Sequence, residues 1–480
     1  MLFNSFHFLI FFPVVTFLYF VLPHRARVPL LLAASCWFYM AFLPKYILIL
    51  IFLILLDFTA GILIENAHGH RRKVFLIISL AANVGMLGFF KYFNFFNANL
   101  TVLAHFLGWN YSIESLKIIL PIGLSFHTFQ SMSYTIEVYR GRFPAERSLL
   151  HFAIYVLFYP QLVAGPIERP QNLLHQFREA HHFSWPRFVE GGQLMLTGLF
   201  KKIIIADRAA ILVNIVYAEP GNFSGAQLLL ATFFFAIQIY CDFSGYSDVA
   251  RGAARVMGFE LMLNFNRPYL AASIADFWRR WHISLSTWFR DYVYFPLGGN
   301  REGLARTCRN LAIVFLISGL WHGANWTFLI WGALHALFIV VYVLTEGPRE
   351  RANAASAPAF ALLGWFITFS AVIVAWIFFR AANLSDALLI VRRIFTSLGL
   401  PSGAEWHPGL DTLQFSFALM LIAGLFAFEL LGRRKPIWLR LSEQPRWLRW
   451  SGYYLFGVVF VVLLLLSPQH GAQPFIYFQF

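Results

Sequence analysis

The chain has 480 residues, 59% of them apolar and 12% charged, and 55 are phenylalanine. Ordinary soluble proteins carry roughly 45–50% apolar and about 25% charged residues, so this composition excludes a soluble enzyme, a disordered chain or a nucleic-acid-binding domain as the main body. The net charge of +14 (37 Lys and Arg against 23 Asp and Glu) lies in short loops between apolar runs, as the positive-inside rule and anionic lipid headgroups require.

A helical span needs about 20 apolar residues. Candidate runs are Phe6–Leu22, Val28–Phe42, Tyr46–Ile64, Val74–Phe90, Ile118–Val138 and Leu149–Ala164. They continue with Val189–Tyr217, Ala226–Cys241, Leu311–Gly323, Trp326–Leu344, Phe360–Phe379, Leu413–Leu431 and Ser451–Ser467. The runs are continuous rather than alternating, which argues against an outer-membrane barrel. Several are short or broken by Gly and Pro, and such backbone survives at membrane depth only inside protein or beside a wet cavity. The predicted fold is an all-α polytopic integral membrane protein, with roughly eleven transmembrane helices plus re-entrant or half-membrane helices. Residues 1–480 form a single membrane body, and Pro348–Pro358 reads as a plain connector.

The first run lacks a charged leader and a small-residue cleavage site, so it reads as a retained span. Basic loops at Arg25/Arg27, Arg71–Lys73, Arg140–Arg147 and Arg433–Arg449 belong in the cytoplasm. Both termini, including Gln473–Phe480, are then predicted to be periplasmic. Asn97–Lys117 is too polar to span and is expected along the outer surface. Cys36, Cys241 and Cys308 have no metal or disulfide spacing and read as small hydrophobes.

Polar groups inside apolar runs are functional candidates by default. Tyr240–Asp248, with Asp242 and Ser244, reads either as a capped helix end with Asp248 on Arg251, or as the polar wall of a cavity, a cation site included. Asn264–Arg301 carries Asp276, Arg279, Arg280, Trp281 and His282. It reads either as an interfacial belt in which Asp276 caps a helix starting at Phe277, or as an arginine–tryptophan pocket for a phosphorylated or carboxylated donor. Ser318–Trp326 breaks a long apolar stretch. A helix entering near Arg309 reaches His322 thirteen residues later, about 20 Å on and past the middle of a roughly 30 Å core. A histidine there is costly when charged, which makes a neutral base of it. Gly319 and Gly323 would let a substrate approach, Asn325 would orient the ring, and Trp321 would flank it. The bland alternative is a histidine hydrogen-bonded between helices. His127, His322 and His335 match no metal-ligand spacing, so no metal is expected. No nucleophile elbow or phosphate loop accompanies His322, which leaves a membrane transferase or a transporter.

The strings DFWRRWHISLSTWFRDYVYFPLGGNR (Asp276–Arg301) and GLWHGANWTFLIWGALHA (Gly319–Ala336) resemble the signature regions of the membrane-bound O-acyltransferases. The bacterial subfamily of the alginate O-acetyltransferase membrane component is most similar, with Leu120–Gly141, Phe158–Pro170, Tyr240–Gly252 and Pro474–Phe480 in the same order. The resemblance implies tilted helices around a central funnel, with His322 catalytic and His282 as the second family histidine. It implies acetyl-CoA as the donor substrate, no bound cofactor, and periplasmic partners such as an SGNH-type or alginate acetyltransferase, in a bacterial inner membrane. The acceptor it implies is an exported polysaccharide such as alginate, with peptidoglycan or cellulose as alternatives. A channel that only moves the acetyl donor is the rival class. One departure is His127, where a bulky aromatic residue is expected, so the acceptor side of the funnel is where this chain is expected to differ.

Overall fold

The computed structural model describes residues 1–480 except 112, 117–120, 164, 346–357, 400–405, 436, 466–474 and 477–480. Most of the connector at Pro348–Pro358 and most of Gln473–Phe480 lie outside the described residues. Among the described residues the ordered elements are all helical, which is how a chain satisfies its backbone without water.

The N-terminal helices are α1 (Phe6–Val21), α2 (His24–Met40), α3 (Ile47–Asn66), α4 (His70–Leu87) and α5 (Phe93–Phe106). A π-helical stretch, Gly88–Tyr92, joins α4 to α5 into one rod of 37 residues. This corrects the expectation that a surface element begins at Asn97. Asn97 is buried in α5, donates to the Ile113 carbonyl at 2.9 Å and accepts from the Tyr111 hydroxyl at 2.8 Å, so the polar stretch folds back on the helix.

Next come α6 (Leu124–Tyr139), α7 (Leu149–Leu157) and the one-turn helices α8 (Tyr159–Leu162) and α9 (Pro170–Leu173). They are short, and α6 to α8 are mostly buried, which suits non-spanning helices held inside protein. Helix α10 (Trp185–Leu199) runs through a π-helical stretch, Phe200–Ala206, into α11 (Asp207–Ala218). Helix α12 (Gly225–Met257) then runs 33 residues through the centre, started by a Ser224–Gln227 capping box. The Tyr240–Asp248 string is therefore the middle of a helix and not its end. Its carboxylates and hydroxyls project from an intact ladder, so they cap nothing.

Helices α10 and α12 are antiparallel and touch backbone to backbone. A Cβ on Gly191 would lie 2.6 Å from the Gly252 carbonyl, and one on Gly198 would lie 2.4 Å from that of Gly245. Small residues are what permit such closeness between helices in lipid. The segment α13 (Ile274–Arg280) and α14 (Ile283–Phe289) leads to a second glycine-joined pair, α15 (Leu304–His322) and α16 (Trp326–Leu344). There a Cβ on Gly319 would sit 2.3 Å from the Phe328 carbonyl. The chain ends with α17 (Pro358–Arg380), α18 (Leu384–Thr396), α19 (Thr412–Leu431), α20 (Ile437–Ser442) and α21 (Arg446–Leu465). Among the described residues eight helices are long and apolar enough to cross a membrane, and the apolar α1 is shorter.

Candidate functional site

His322 is the last residue of α15, where helix carbonyls run out of partners. The rod of α4 and α5 supplies them. Lys91 Nζ donates to the Trp321 and His322 carbonyls at 2.7 and 2.8 Å, and the Tyr92 hydroxyl donates to Leu320 at 2.5 Å. Lys91 and Tyr92 both sit on the π-helical stretch, whose irregular turn aims two adjacent side chains at one helix end. A cation at a helix C-terminus also complements the helix dipole.

The His322 imidazole is 5% exposed and packs edge-on against Trp321, Trp331 and Phe379, with ring centres 4.9, 5.0 and 5.2 Å away. Behind Trp331 lies His335, fully buried, its ring 4.8 Å from that indole and 4.9 Å from Trp278. The indole N–H groups of Trp278, Trp321 and Trp331 and both His335 nitrogens are buried with no hydrogen-bond partner among the described residues. Buried polar groups are nearly always satisfied, so these nitrogens form a local concentration of unused hydrogen-bonding capacity.

A cavity of about 780 Å³ reaches this cluster from the other end of α15. Arg279, Arg290, Tyr294 and Asn300 line it near the start of α15, and Trp278, Phe315 and Ser318 line it deeper. Ser318 is one helical turn before His322, and the Trp278–Trp331 contact stands between the cavity and the histidine. His322 itself does not line it. Arg279 is exposed and makes no ion pair or hydrogen bond among the described residues. Arg290 pairs with Asp291 at 2.8 Å, so Arg279 is the free guanidinium of the cavity; the volume falls within the usual range for ligand sites, and such a group suits phosphate.

His282 occupies a strained position. It precedes α14 with φ 43°, a left-handed conformation that costs a non-glycine residue about 1–3 kcal/mol. Its Nδ1 lies 3.1 Å from Asn264 Oδ1, which also accepts from the Ser284 hydroxyl at 2.9 Å. Its ring is 6.3 Å from that of Trp321, so Trp321 lies between the two histidines.

The membrane-bound O-acyltransferase profile matches residues 144–381. Over the whole of both chains, the sequence is 36% identical to the probable alginate O-acetylase AlgI of Pseudomonas putida. It is also 36% identical to the peptidoglycan O-acetyltransferase of Helicobacter pylori, over 100% of this chain and 98% of that one. The teichoic acid D-alanyltransferase of Bacillus subtilis is 29% identical over 47% of this chain and 59% of its own. The chain belongs to the membrane-bound O-acyltransferase family. It is an O-acyltransferase embedded in a membrane by multiple helices.

In this O-acyltransferase the residues marked in the sequence separate into two groups. His322, Trp321 and His282 come together, and Arg279 lies on the cavity beneath them. The others are engaged elsewhere. Asn325 does not orient the histidine: its Oδ1 caps α16 by accepting from Thr327 N–H at 3.1 Å, and its Nδ2 donates to Ala382 at 3.0 Å. Asp276 is not the cap of α13. Ser273 is, and Asp276 sits within the helix, paired with Arg280 at 2.9 Å. Arg279 and Arg280 accordingly lie in its last turn. Trp281 is buried against Phe265, Phe277 and Trp376, away from the cavity. Gly319 admits the backbone of α16, and the Phe328 ring covers Gly323, so neither glycine opens a path for substrate. His127 is buried in α6, edge-on to Tyr39.

Asp242 is buried in an ion cluster. Lys202 Nζ lies 2.8 Å from both Asp242 and Asp207, and the Ile476 N–H donates to Asp242 at 2.7 Å. Asp248 pairs with Lys201 at 2.7 Å and lies 3.7 Å from Arg251. Ser244 is the exception: it is buried on α12, and its hydroxyl has no hydrogen-bond partner among the described residues. Sequence reasoning passed over Lys201 and Lys202, although two lysines in an apolar run require two acids somewhere. Lys91 and Trp331 are further residues that the sequence reading leaves out, whereas Trp278 belongs to the arginine–tryptophan segment read as a donor pocket and does line the cavity. Lys91 carries the same signal, a charge in an apolar run, and Trp331 carries none beyond its depth.

Proposed function

We propose that this O-acyltransferase takes an acetyl group from acetyl-CoA on the cytoplasmic side of a bacterial inner membrane and delivers it outward for O-acetylation of an exported polysaccharide such as alginate. A periplasmic acetyltransferase of the SGNH type would complete the transfer. The observation that carries this reading is the stacking of an arginine-bearing cavity beneath a histidine ringed by unsatisfied indoles, with one aromatic contact between them. Full-length similarity to an alginate O-acetylase supports the substrate class.

On this reading Arg279 and Arg290 hold the phosphates of the donor, and the thioester arm passes the Trp278–Trp331 contact. His322 takes the proton from an acceptor hydroxyl. The hydroxyl oxygen forms the new ester bond to the acetyl carbon as the carbon–sulfur bond breaks. The imidazolium returns its proton to the departing thiolate, which leaves as CoA. General-base help of this kind contributes roughly 10²–10⁴-fold. Lys91 and Tyr92 hold the end of α15, and with it the histidine, in place.

Peptidoglycan is the second reading, because the Helicobacter pylori relative is as identical as the Pseudomonas putida one. One experiment addresses both. Alkali-labile acetate is measured on exopolysaccharide and on peptidoglycan from a deletion strain carrying the wild-type or the His322→Ala gene. The wild-type gene restores ester acetate to one polymer, and His322→Ala leaves it at the deletion level with normal protein in the membrane. Full restoration by His322→Ala would remove the histidine from the mechanism.

A further inference from the structure

A second cavity, of about 400 Å³, lies between α10 with its π-helical extension and α19, α20 and α21. Phe200, Leu421, Phe428, Leu441 and Phe456 give it a hydrocarbon lining. Its polar lining groups are already engaged: the Thr197 hydroxyl takes the Trp438 N–H at 2.9 Å, and Lys201 pairs with Asp248. The interior therefore offers an occupant only apolar contact.

The segment at its side is strongly basic. From Arg433 to Arg449 the chain carries five arginines and Lys435 against the single acid Glu443, which Lys435 pairs. Arg433, Arg434, Arg440 and Arg446 form no ion pair among the described residues, and all but Arg440 are exposed. Trp447, Trp450 and Tyr454 are 71%, 50% and 68% exposed, a belt of the kind that settles at the headgroup level. An apolar slot beside free guanidinium groups at that level is complementary to one molecular class, in which an acyl chain is joined to a negatively charged head.

We propose that this cavity binds one anionic glycerophospholipid, with an acyl chain between α10 and α19–α21 and the phosphate head on the arginines of the α19–α21 segment. Gly424 of α19 lines the cavity, and a Cβ added there meets nothing within 4 Å, so a larger side chain can enter the slot without moving backbone.

The test is native mass spectrometry of the purified full-length protein after delipidation and exposure to phosphatidylglycerol or phosphatidylcholine. Wild type should retain one phosphatidylglycerol per chain, with a preference of about tenfold or more, since each surface Arg attracts an anionic lipid measurably. Gly424→Phe should lose the retained lipid of either headgroup, and Gly424→Leu gives a milder filling should the larger ring impair folding. Replacing Arg433, Arg434, Arg440 and Arg446 by Gln, three of them exposed and Arg440 half-buried, should leave a lipid bound and abolish the preference. Equal retention of both lipids by wild type, unchanged retention by both Gly424 variants, or a co-purifying polypeptide displaced by them in place of lipid would each overturn the proposal.

Discussion

The α10–α12 pair and the α15–α16 pair are built alike and used differently. Both are antiparallel, both are closed by glycines facing backbone, and both carry polar groups into an apolar body. In the first, each carboxylate meets a cation: Asp242 and Asp207 share Lys202, and Asp248 takes Lys201. In the second the carboxylate of Glu302 pairs with Arg306 at the exposed start of α15, and among the described residues none pairs with a group at the buried His322 end. The helix end is held by Lys91 through carbonyls, and indole and imidazole nitrogens stay open. Depth in an apolar run therefore identifies both regions as costly: the first neutralises its charges internally, although Gln238 Oε1 and Ser244 Oγ stay open there, and the second keeps indole and imidazole nitrogens open beside the cavity.

The contrast breaks most visibly at Lys202. Lys202→Met strands the buried Asp242 and the half-buried Asp207 and should cost about 3–5 kcal/mol, seen as a large drop in folded protein in membranes. Asp242→Leu should cost less, because Lys202 keeps Asp207. An Asp242→Asn protein that folds at wild-type level yet loses acetyl transfer would instead restore Asp242 to a substrate wall. Lys91→Met comes next. It leaves two helix-end carbonyls unsatisfied at about 1–3 kcal/mol, so transfer per folded molecule should fall about tenfold to a hundredfold, with Lys91→Arg recovering part of it. Arg279→Gln should raise the donor KM by about three- to tenfold with kcat unchanged, the signature of binding shared by ground and transition states. Arg280→Gln is the smallest. It loses an i,i+4 pair with Asp276 of about 0.2–0.5 kcal/mol, and both kinetic constants should stay within twofold, roughly the limit such a pair sets.

The helical membrane body, the burial of His322 and the family were legible in the sequence, because hydropathy and local strings are short-range signals. Two errors also had local signatures that pointed the other way. Ser273 stands three residues before Asp276, the spacing of a capping box, and Asn325 immediately precedes a helical run, the usual place of an N-cap. The remaining features join residues far apart in the chain. Lys91 meets His322 across 231 positions, and Tyr240 hydrogen-bonds Glu429 across 189. No periodicity records such a pairing. The cavity beneath His322 is likewise made by α13, α14, α15 and α16 together.

The central claim is that donor binding and proton transfer occupy separate places, the arginine-bearing cavity and His322. The measurement that addresses it combines equilibrium binding of acetyl-CoA with transfer of labelled acetyl to alkali-labile ester, both on membranes holding equal amounts of wild type and His322→Gln. The account predicts unchanged binding and a loss of transfer of about 10²–10⁴-fold. Wild-type transfer by His322→Gln, or loss of binding together with transfer, would contradict it.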